Sequence, residues 1–172
     1  MMLVVLRRSK VQQLAIFSIV VLALNFLSMR YLVSDVIENA NLAALAGHRV
    51  AIDPGHGGID SGASANGVVE KEITLAISLK LAQILQDNGA TVLFTRDTDV
   101  DYYTRGKGGK RNDLLKRINV IEQSNADIFI SIHCNAIRGA TLAGAQVFYN
   151  PKLPENKILA DGMQQALKNF PP

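Results

Sequence analysis

Short apolar runs and helical repeats of apolar residues alternate along the chain after residue 47. Four short apolar runs predict strands, at 49–53, 91–95, 127–133 and 145–149. Apolar residues recur every three or four positions in three segments, which predicts helices at 70–88, 112–123 and 155–170. Alternating strands and helices indicate an α/β fold, with a mainly parallel sheet and helices on both faces.

The same pattern predicts which side of each helix faces the sheet. The apolar positions of the first helix are Ile73, Ile77, Leu81, Ile84 and Leu85. Those of the second helix are Leu114, Leu115, Ile118 and Ile121. Residues 96–110 are polar and rich in glycine, so they predict a long surface loop between the second strand and the second helix.

The first 46 residues follow a different pattern. Arg7, Arg8 and Lys10 precede a mostly apolar run at 11–29, which is just long enough for one N-terminal transmembrane helix. The basic flank, 1–10, is then cytoplasmic, and the rest of the chain is extracytoplasmic. We expect a retained signal anchor followed by a connector, 30–46. Cleavage and secretion are the alternative, but the small-x-small site at 44–46 lies well past the apolar run.

Composition narrows the class of protein. Hydrophobic residues make up 48% of the chain and charged residues 19%, which excludes a disordered protein. A single cysteine excludes an internal disulfide framework and a cysteine-based zinc cluster. Four of the 18 basic and two of the 15 acidic residues lie in 1–46, so 47–172 has a surplus of one positive charge. We therefore expect no nucleic-acid partner.

Three residues of the domain have the chemistry of a metal site. His56 follows the first strand in a glycine-rich loop, and His133 ends the third strand, so both belong to the carboxyl edge of the sheet, where ligands bind. Glu70 opens the first helix after a glycine-containing loop, 61–69, that can return it to this edge. Two imidazoles and one carboxylate are ligands of hydrolytic zinc sites, so the pattern predicts one Zn²⁺ ion.

Each of these residues can also be explained without a metal. His56 alone fits an exposed turn, and Glu70, beside Lys71 and Glu72, fits a solvated helix start that favours the helix dipole. His133 is harder to explain in this way, because a histidine at the end of an apolar run needs polar partners or a cleft. Spacing alone leaves these alternatives open.

Four short motifs resemble those of one enzyme family. They are DPGHGG (53–58), the Glu-Lys pair (70–71), TR (95–96) and SIHCNA (131–136). In this combination and order the sequence resembles the zinc-dependent N-acetylmuramoyl-L-alanine amidases. The apolar N-terminal run, KGGKR (107–111) and GAQVFYNPKLPEN (144–156) look closest to the spore-cortex, germination-specific branch of that family.

The resemblance implies an enzyme that uses zinc to hydrolyse the amide between N-acetylmuramic acid and L-alanine in peptidoglycan. His56, Glu70 and His133 match the family's zinc ligands, and Glu70 is preferred to Glu72 because it directly precedes the lysine. Asp53 and Asn135 lie beside the ligands and are expected to orient an imidazole or the substrate. Capping of loop backbone explains these two residues about as well. The spore-cortex branch implies a peptidoglycan deacetylase that acts on the stripped muramic acid.

The family's catalytic glutamate lies on a later strand, and no residue up to Pro172 matches it. We therefore expect a truncated catalytic domain, 47–172, that is incomplete at its C-terminus and has its general base beyond Pro172. Glu122, late in the second helix, and Glu155, at a helix start, are the remaining candidates. Loss of the base lowers the rate by about 10²–10⁴-fold. The alternative function is a catalytically inactive peptidoglycan-binding zinc module.

Other features carry less weight. Strand alternation puts Cys134 on the face opposite His133, which favours a small buried hydrophobe over a fourth ligand. A run of basic residues is interpreted as a solvated loop and helix face: Arg105, Lys107, Lys110, Arg111, Lys116 and Arg117. A phosphate-binding loop is a weak alternative for the glycine-rich segment, because no P-loop lysine follows the glycines.

Overall fold

A computed structural model describes residues 16–27, 42–106, 108–135 and 144–168. The predicted cytoplasmic segment 1–10 lies outside them, as do parts of the predicted membrane segment 11–29 and of the connector 30–46. The chain divides into two compact units, Met1–Cys134 and Asn135–Pro172. The strands are β1 (Arg49–Pro54), β2 (Ser64–Ala65), β3 (Val68–Val69), β4 (Thr91–Phe94) and β5 (Ile128–Ile132). The helices are α1 (16–27), α2 (Glu70–Asp87), α3 (Gly109–Gln123) and α4 (Pro154–Lys168), and a 3₁₀ turn spans Leu42–Leu45.

The apolar N-terminal run is helical where the structure describes it. All side chains of α1 are exposed to solvent. None of the helices in the described residues combines the length and the apolar character that a membrane crossing requires. The transmembrane helix proposed for 11–29 therefore stays a prediction.

The first unit is built on a parallel sheet with the strand order β4-β1-β5. β1 lies in the centre and pairs in parallel with β4 on one side and β5 on the other. Val50 and Ile52 of β1 are fully buried and form the core with Ala82, Leu85 and Ala90. The central parallel sheet with helices confirms the predicted α/β class.

α2 packs against all three strands, but with a different side than its isoleucines predict. Ile77 and Ile84 are 48% and 40% exposed, whereas the buried positions of α2 are Glu70, Thr74, Ser78, Ala82 and Leu85. The prediction is confirmed for Leu85, which is buried, and for Leu81, which packs against the core. It was wrong for the two isoleucines, because small side chains let the helix lie close to the sheet and because this face begins with Glu70. A polar group at the helix start and small residues behind it decide the orientation.

An ion pair attaches α3 to the face of the sheet opposite the one that carries Ile52. Because side chains alternate along a strand, Asp53 points away from the face of Ile52. Its carboxylate accepts a hydrogen bond of 2.8 Å from Arg117, which also pairs with Asp113 at 2.9 Å. Arg117 is 5% exposed, so its predicted place in a solvated basic face was wrong.

Three of the four apolar residues expected to pack α3 against the sheet are exposed, and the fourth, Ile121, is half-buried. Leu114, Leu115 and Ile118 are 52%, 50% and 48% exposed. The buried residues of α3 are Asp113 and Arg117, one helical turn apart on the same side. A buried ion pair therefore replaces the apolar contact that periodicity predicts.

The sequence predicts a surface loop at 96–110, but the structure buries the start of this segment. Arg96 is 3% exposed and lies beneath the loop that follows β1. The hydroxyl of Tyr102 donates to the carbonyl of Thr95 at 2.6 Å, and the N–H of Tyr102 donates to Asp113 at 2.8 Å. The start of this segment is thus part of the interior, because its polar groups have partners there.

The fourth strand predicted at 145–149 is absent from the described second unit, where this stretch has no regular secondary structure. The side-chain amide of Gln164 donates to the carbonyl of Ala145 at 3.0 Å and accepts from the N–H of Val147 at 2.9 Å. A neighbouring parallel strand would bond the same two groups. The local sequence is suited to a strand, but a glutamine of α4 takes these backbone bonds.

Removal of the central core side chain should destabilise the first unit. We expect Ile52→Ala to lower the free energy of unfolding by about 2–5 kcal/mol, because a buried cavity adds to the lost transfer energy. Leu79→Ala is the control, since Leu79 is 43% exposed on α2 and should cost less than about 1 kcal/mol. Urea denaturation followed by circular dichroism measures both. Equal losses would contradict the position of Ile52 in the core.

Acid should release the ion pair that attaches α3. Burial opposes the ionised form of Asp53, but hydrogen bonds from Thr95, Arg117 and Ser131 outweigh it and lower the pKa of this carboxyl. Because the pKa of Asp53 is lower in the folded chain than in the unfolded chain, the ionised carboxyl stabilises the fold. This stabilisation is complete above the unfolded pKa, about 3.9, and is lost as pH falls through the folded pKa. Asp53→Asn should therefore cost about 3 kcal/mol at pH 7, and less below pH 4.

Urea midpoints between pH 7 and pH 2, measured without metal, test this expectation. Asp97→Asn serves as the control, because Asp97 is an exposed carboxylate of the loop after β4. The prediction fails if wild type and Asp53→Asn lose stability equally over this range.

Candidate metal centre

The first histidine of the site is held in an unusual backbone conformation. β1 ends at Pro54, and His56 follows with a φ of 61°, in the left-handed region that non-glycine residues rarely occupy. Its ring is largely buried. The tight path of this loop turns the imidazole toward the start of α2, where its Nε2 lies 3.1 Å from Oε1 of Glu70.

A small hairpin brings Glu70 back to the same edge. β2 and β3 pair in antiparallel fashion around Asn66 and Gly67, whose φ values are 52° and 79°. Asn-Gly with two positive φ angles is the favoured two-residue hairpin turn. The predicted loop at 61–69 is therefore a hairpin, and the Asn-Gly dipeptide is its signal in the sequence. α2 begins directly after β3, so the hairpin fixes the position of its first residue.

The carboxylate of Glu70 is buried and held as an anion. Its Oε2 accepts from the N–H of Ala63 and its Oε1 from the N–H of Cys134, both at 2.8 Å. Burial opposes the charged form, but these two hydrogen bonds, together with His56 and His133, outweigh it and lower the pKa of Glu70. At neutral pH the group is therefore an acceptor that can bind a cation.

His133 comes from the end of β5, as predicted. Its Nδ1 lies 3.2 Å from Oε1 of Glu70. The rings of His133 and His56 meet edge to face, with centroids 4.9 Å apart. Unlike His56, the side chain of His133 is 49% exposed, so this side of the cluster is open to solvent.

The structure thus brings the three predicted ligands together. One ligand atom from each of His56, Glu70 and His133 lies within 4.8 Å of the others, a separation that one ion can bridge. Two imidazole nitrogens and one carboxylate oxygen suit Zn²⁺ and leave a position for water or substrate. The donor set fits zinc. Its assignment as a zinc site remains a prediction.

Two glycines provide the space for this cluster. A Cβ on Gly55 would lie 2.4 Å from Cε1 of His133. A Cβ on Gly62 would lie 2.6 Å from Cδ2 of His56 and 2.7 Å from Oε2 of Glu70. Any larger residue at either position would displace a ligand, so glycine is required there by close approach.

Asp60 is a site residue that the sequence analysis missed. Its Oδ2 lies 3.0 Å from Nδ1 of His56 and 2.8 Å from Nζ of Lys110. The contact with His56 has an ion-pair distance, but its direction is poor for a hydrogen bond. Burial opposes the charged form of Asp60, but Lys110 and His56 outweigh it and hold its pKa at about 2. A carboxylate at this position is suited to hold the proton on Nδ1 when Nε2 binds a metal.

Two further carboxylates, those of Asp99 and Asp101, fix the outer part of the glycine-rich loop. Asp99 accepts from the N–H of Gly58 at 2.8 Å, and Asp101 accepts from the N–H of Ile59 at 2.7 Å. Lys71 links Asp99 to the glycine-rich loop, because its ammonium donates to Asp99 at 2.7 Å and to the carbonyl of Gly58 at 2.8 Å. The lysine of the Glu-Lys pair therefore has a structural role beside the cluster.

The two expected supporting residues lie elsewhere in the hydrogen-bond network. Asp53 contacts Thr95, Arg117 and Ser131, and none of its described bonds reaches an imidazole. The side chain of Asn135 donates to Oε1 of Gln146 at 2.7 Å in the second unit. Their assignment as groups that orient a ligand or substrate remains a prediction.

Cys134 is partly buried, and its hydrogen bond to Glu70 comes from its backbone N–H. Burial and the charge of Glu70 raise the pKa of the thiol, which is unfavourable for a thiolate ligand. Glu122 and Glu155, the remaining candidates for a general base, are both exposed.

Comparison with known proteins identifies one family. The family model described as N-acetylmuramoyl-L-alanine amidase matches residues 50–171. The germination-specific N-acetylmuramoyl-L-alanine amidase of Bacillus subtilis is 40% identical over 128 residues, which cover 72% of this chain and 54% of that protein. The amidase LytC of the same organism is 33% identical over 137 residues, which cover 78% of this chain and 26% of that protein.

A solved structure shows the same fold. The CwlD amidase from Clostridioides difficile, in complex with the GerS lipoprotein, superposes with a TM-score of 0.66 at 36% identity. The match covers 71% of this chain and 66% of that chain. The chain spans between about a quarter and a half of the length of the two Bacillus relatives. On the family match and these identities, this chain belongs to the N-acetylmuramoyl-L-alanine amidase family.

Proposed function

We propose that this protein hydrolyses the amide bond between N-acetylmuramic acid and L-alanine in peptidoglycan, with one zinc ion bound by His56, Glu70 and His133. The observation that carries the proposal is the convergence of these three side chains within 4.8 Å at the carboxyl edge of the sheet. Family membership supports the same bond as the substrate.

The roles of the residues follow from their contacts. A zinc ion in this site supplies a Lewis acid for the substrate carbonyl and lowers the pKa of a bound water. Glu70 contributes a charged oxygen, because its two backbone hydrogen bonds keep it ionised. Asp60, 3.0 Å from Nδ1 of His56, would hold the proton on that nitrogen while Nε2, on the side of Glu70, binds the metal. The exposed side of His133 leaves room for a bulky polymer to approach.

We further propose a role in maturation of the spore cortex, which the 40% identity with the germination-specific amidase supports. In this role a peptidoglycan deacetylase would act on the muramic acid after removal of its peptide. The enzyme would be anchored in the cell membrane by the segment 11–29, with its catalytic domain extracytoplasmic, or cleaved and secreted.

The second candidate is a zinc module that binds peptidoglycan without cleaving it. It is favoured by Glu122, the base candidate of the first unit, which is exposed and has no described hydrogen bond or ion pair to the three-residue cluster. The two functions differ in one product. Only the enzyme releases stem peptides with a free L-alanine amino group.

Replacement of the central ligand tests the zinc site and the reaction together. Glu70→Gln should weaken zinc binding and lower the release of L-alanine amino groups from purified peptidoglycan by about 100-fold, because the neutral amide cannot replace the anion. The control is Glu72→Gln, an exposed glutamate on the same helical turn that should leave both properties unchanged.

The outcomes separate the candidates. One zinc ion per chain with peptide release supports the amidase. Zinc binding and wall binding without release would favour the binding module. A folded wild-type chain that takes up no zinc, as measured by elemental analysis, would exclude both zinc proposals.

The proposed anchor has its own test. Leu22→Arg places a charge within the apolar run and should cost about 3 kcal/mol at the centre of a bilayer. The variant should then move from the membrane pellet to the supernatant after alkaline carbonate extraction, whereas Leu22→Val should remain in the pellet. If wild type itself appears in the supernatant with a new N-terminus at Gly47, cleavage and secretion replace the anchor.

A further inference from the structure

Two buried arginines bond to consecutive backbone carbonyls of the loop that carries His56. The carbonyl of Pro54 accepts from Nε of Arg96 and from Nη1 of Arg117, both at 2.9 Å. Nη2 of Arg96 donates to the carbonyl of Gly55 at 2.8 Å. Nη2 of Arg117 donates to the carbonyl of His56 at 2.6 Å. Each peptide from Pro54 to His56 is therefore held from the inside by a guanidinium.

Neutralisation of the arginines does not by itself explain why their N–H groups bond to these carbonyls. The carboxylates of Asp53 and Asp113 each pair with Arg117 and neutralise it. One of its nitrogens, Nη2, is nevertheless directed at the carbonyl of His56. Arg96 is 3% exposed, and its described hydrogen bonds go to carbonyls and to the hydroxyl of Thr74. A buried cation needs hydrogen-bond acceptors, and Arg96 finds two of them in the carbonyls of this loop, so the loop and the guanidinium stabilise each other.

The conformation in question belongs to His56 itself. Its φ of 61° is unfavourable for a residue with a Cβ, and the loop needs outside contacts to maintain it. The bond from Arg117 fixes the peptide that follows His56, and the bonds to Pro54 and Gly55 fix those before it. Together they set the direction of the Cα–Cβ bond, and with it the distance of 3.1 Å between Nε2 and Glu70.

We propose that Arg117 is a positioning residue that holds His56 in the geometry required for metal binding, with Arg96 supporting the same loop. This inference rests on the proposed zinc site and extends it to α3. Arg117 contacts neither substrate nor ion in this role. It acts through the backbone of a ligand, as an outer contact that tunes affinity.

Arg117→Lys tests the role because lysine keeps the charge beside Asp53 and Asp113 but cannot bond several carbonyls in a fork. The matched control is Arg49→Lys. Arg49 also donates twice to one carbonyl, that of Ser124 at 3.1 and 2.8 Å, but at the opposite end of β1. Zinc affinity of the full 172-residue chain is measured by competition with a chromophoric chelator, beside the unfolding midpoint of the metal-free protein.

We expect Arg117→Lys to bind zinc about tenfold or more weakly and to change the visible spectrum of the cobalt-substituted protein. Arg49→Lys should lower the unfolding midpoint without changing either metal property. A smaller loss of zinc affinity in folded Arg117→Lys, or an equal loss in Arg49→Lys, overturns the proposal.

If Arg117→Lys does not fold, the double variant Asp113→Asn with Arg117→Gln is measured instead, because it removes the arginine together with one carboxylate partner. The same loss of zinc affinity, about tenfold or more, is then required. If neither folds, Arg117 is a folding determinant only and the proposal is wrong. If the wild-type chain has no zinc affinity, the zinc site itself is refuted. If wild type and Arg117→Lys bind zinc equally well, only the positioning role of Arg117 is refuted.

Discussion

The hydrogen bonds from Arg96 and Arg117 to the loop after β1 are the interaction on which the first unit depends. The carbonyls of Pro54, Gly55 and His56 point inward, where no neighbouring strand can bond them. A buried carbonyl without a donor costs about 1–3 kcal/mol, so this loop requires donors from elsewhere in the chain. The two guanidinium groups supply them, together with the hydroxyl of Thr74, which also donates to Gly55. The carboxylates of Asp53 and Asp113 balance the charge of Arg117.

This network also explains how distant segments become one site. β1 supplies the loop, α3 supplies Arg117, and the segment after β4 supplies Arg96. Glu70 then joins the cluster from α2 through the Asn-Gly hairpin, and its oxygens are bonded to the backbone at Ala63 and Cys134. The candidate ligands are therefore fixed by backbone contacts on several sides. Glycines at 55 and 62 leave the space that these side chains need.

The fold class could be predicted from the sequence, but the packing faces could not. Three of four predicted strands and all three predicted helices of 47–172 are present, because apolar periodicity reports local structure directly. It failed for the isoleucines of α2 and for most of the apolar residues of α3, because Thr74, Ser78, Asp113 and Arg117 are buried in their place. A buried polar side chain is stable only when its partner comes from another element, and a single sequence does not show that partner.

The sequence by itself determined the α/β class, the identity of the three candidate ligands and the family resemblance, because each depends on residue type, order and local spacing. The tertiary structure alone decided that His56, Glu70 and His133 meet within 4.8 Å, that Asp60 joins them, and that two arginines lie beneath them. It also decided that Gln164 takes the bonds a strand partner would use for 145–147. The physical reason is that hydrogen bonds and ion pairs between segments far apart in the chain leave no periodic pattern in either segment.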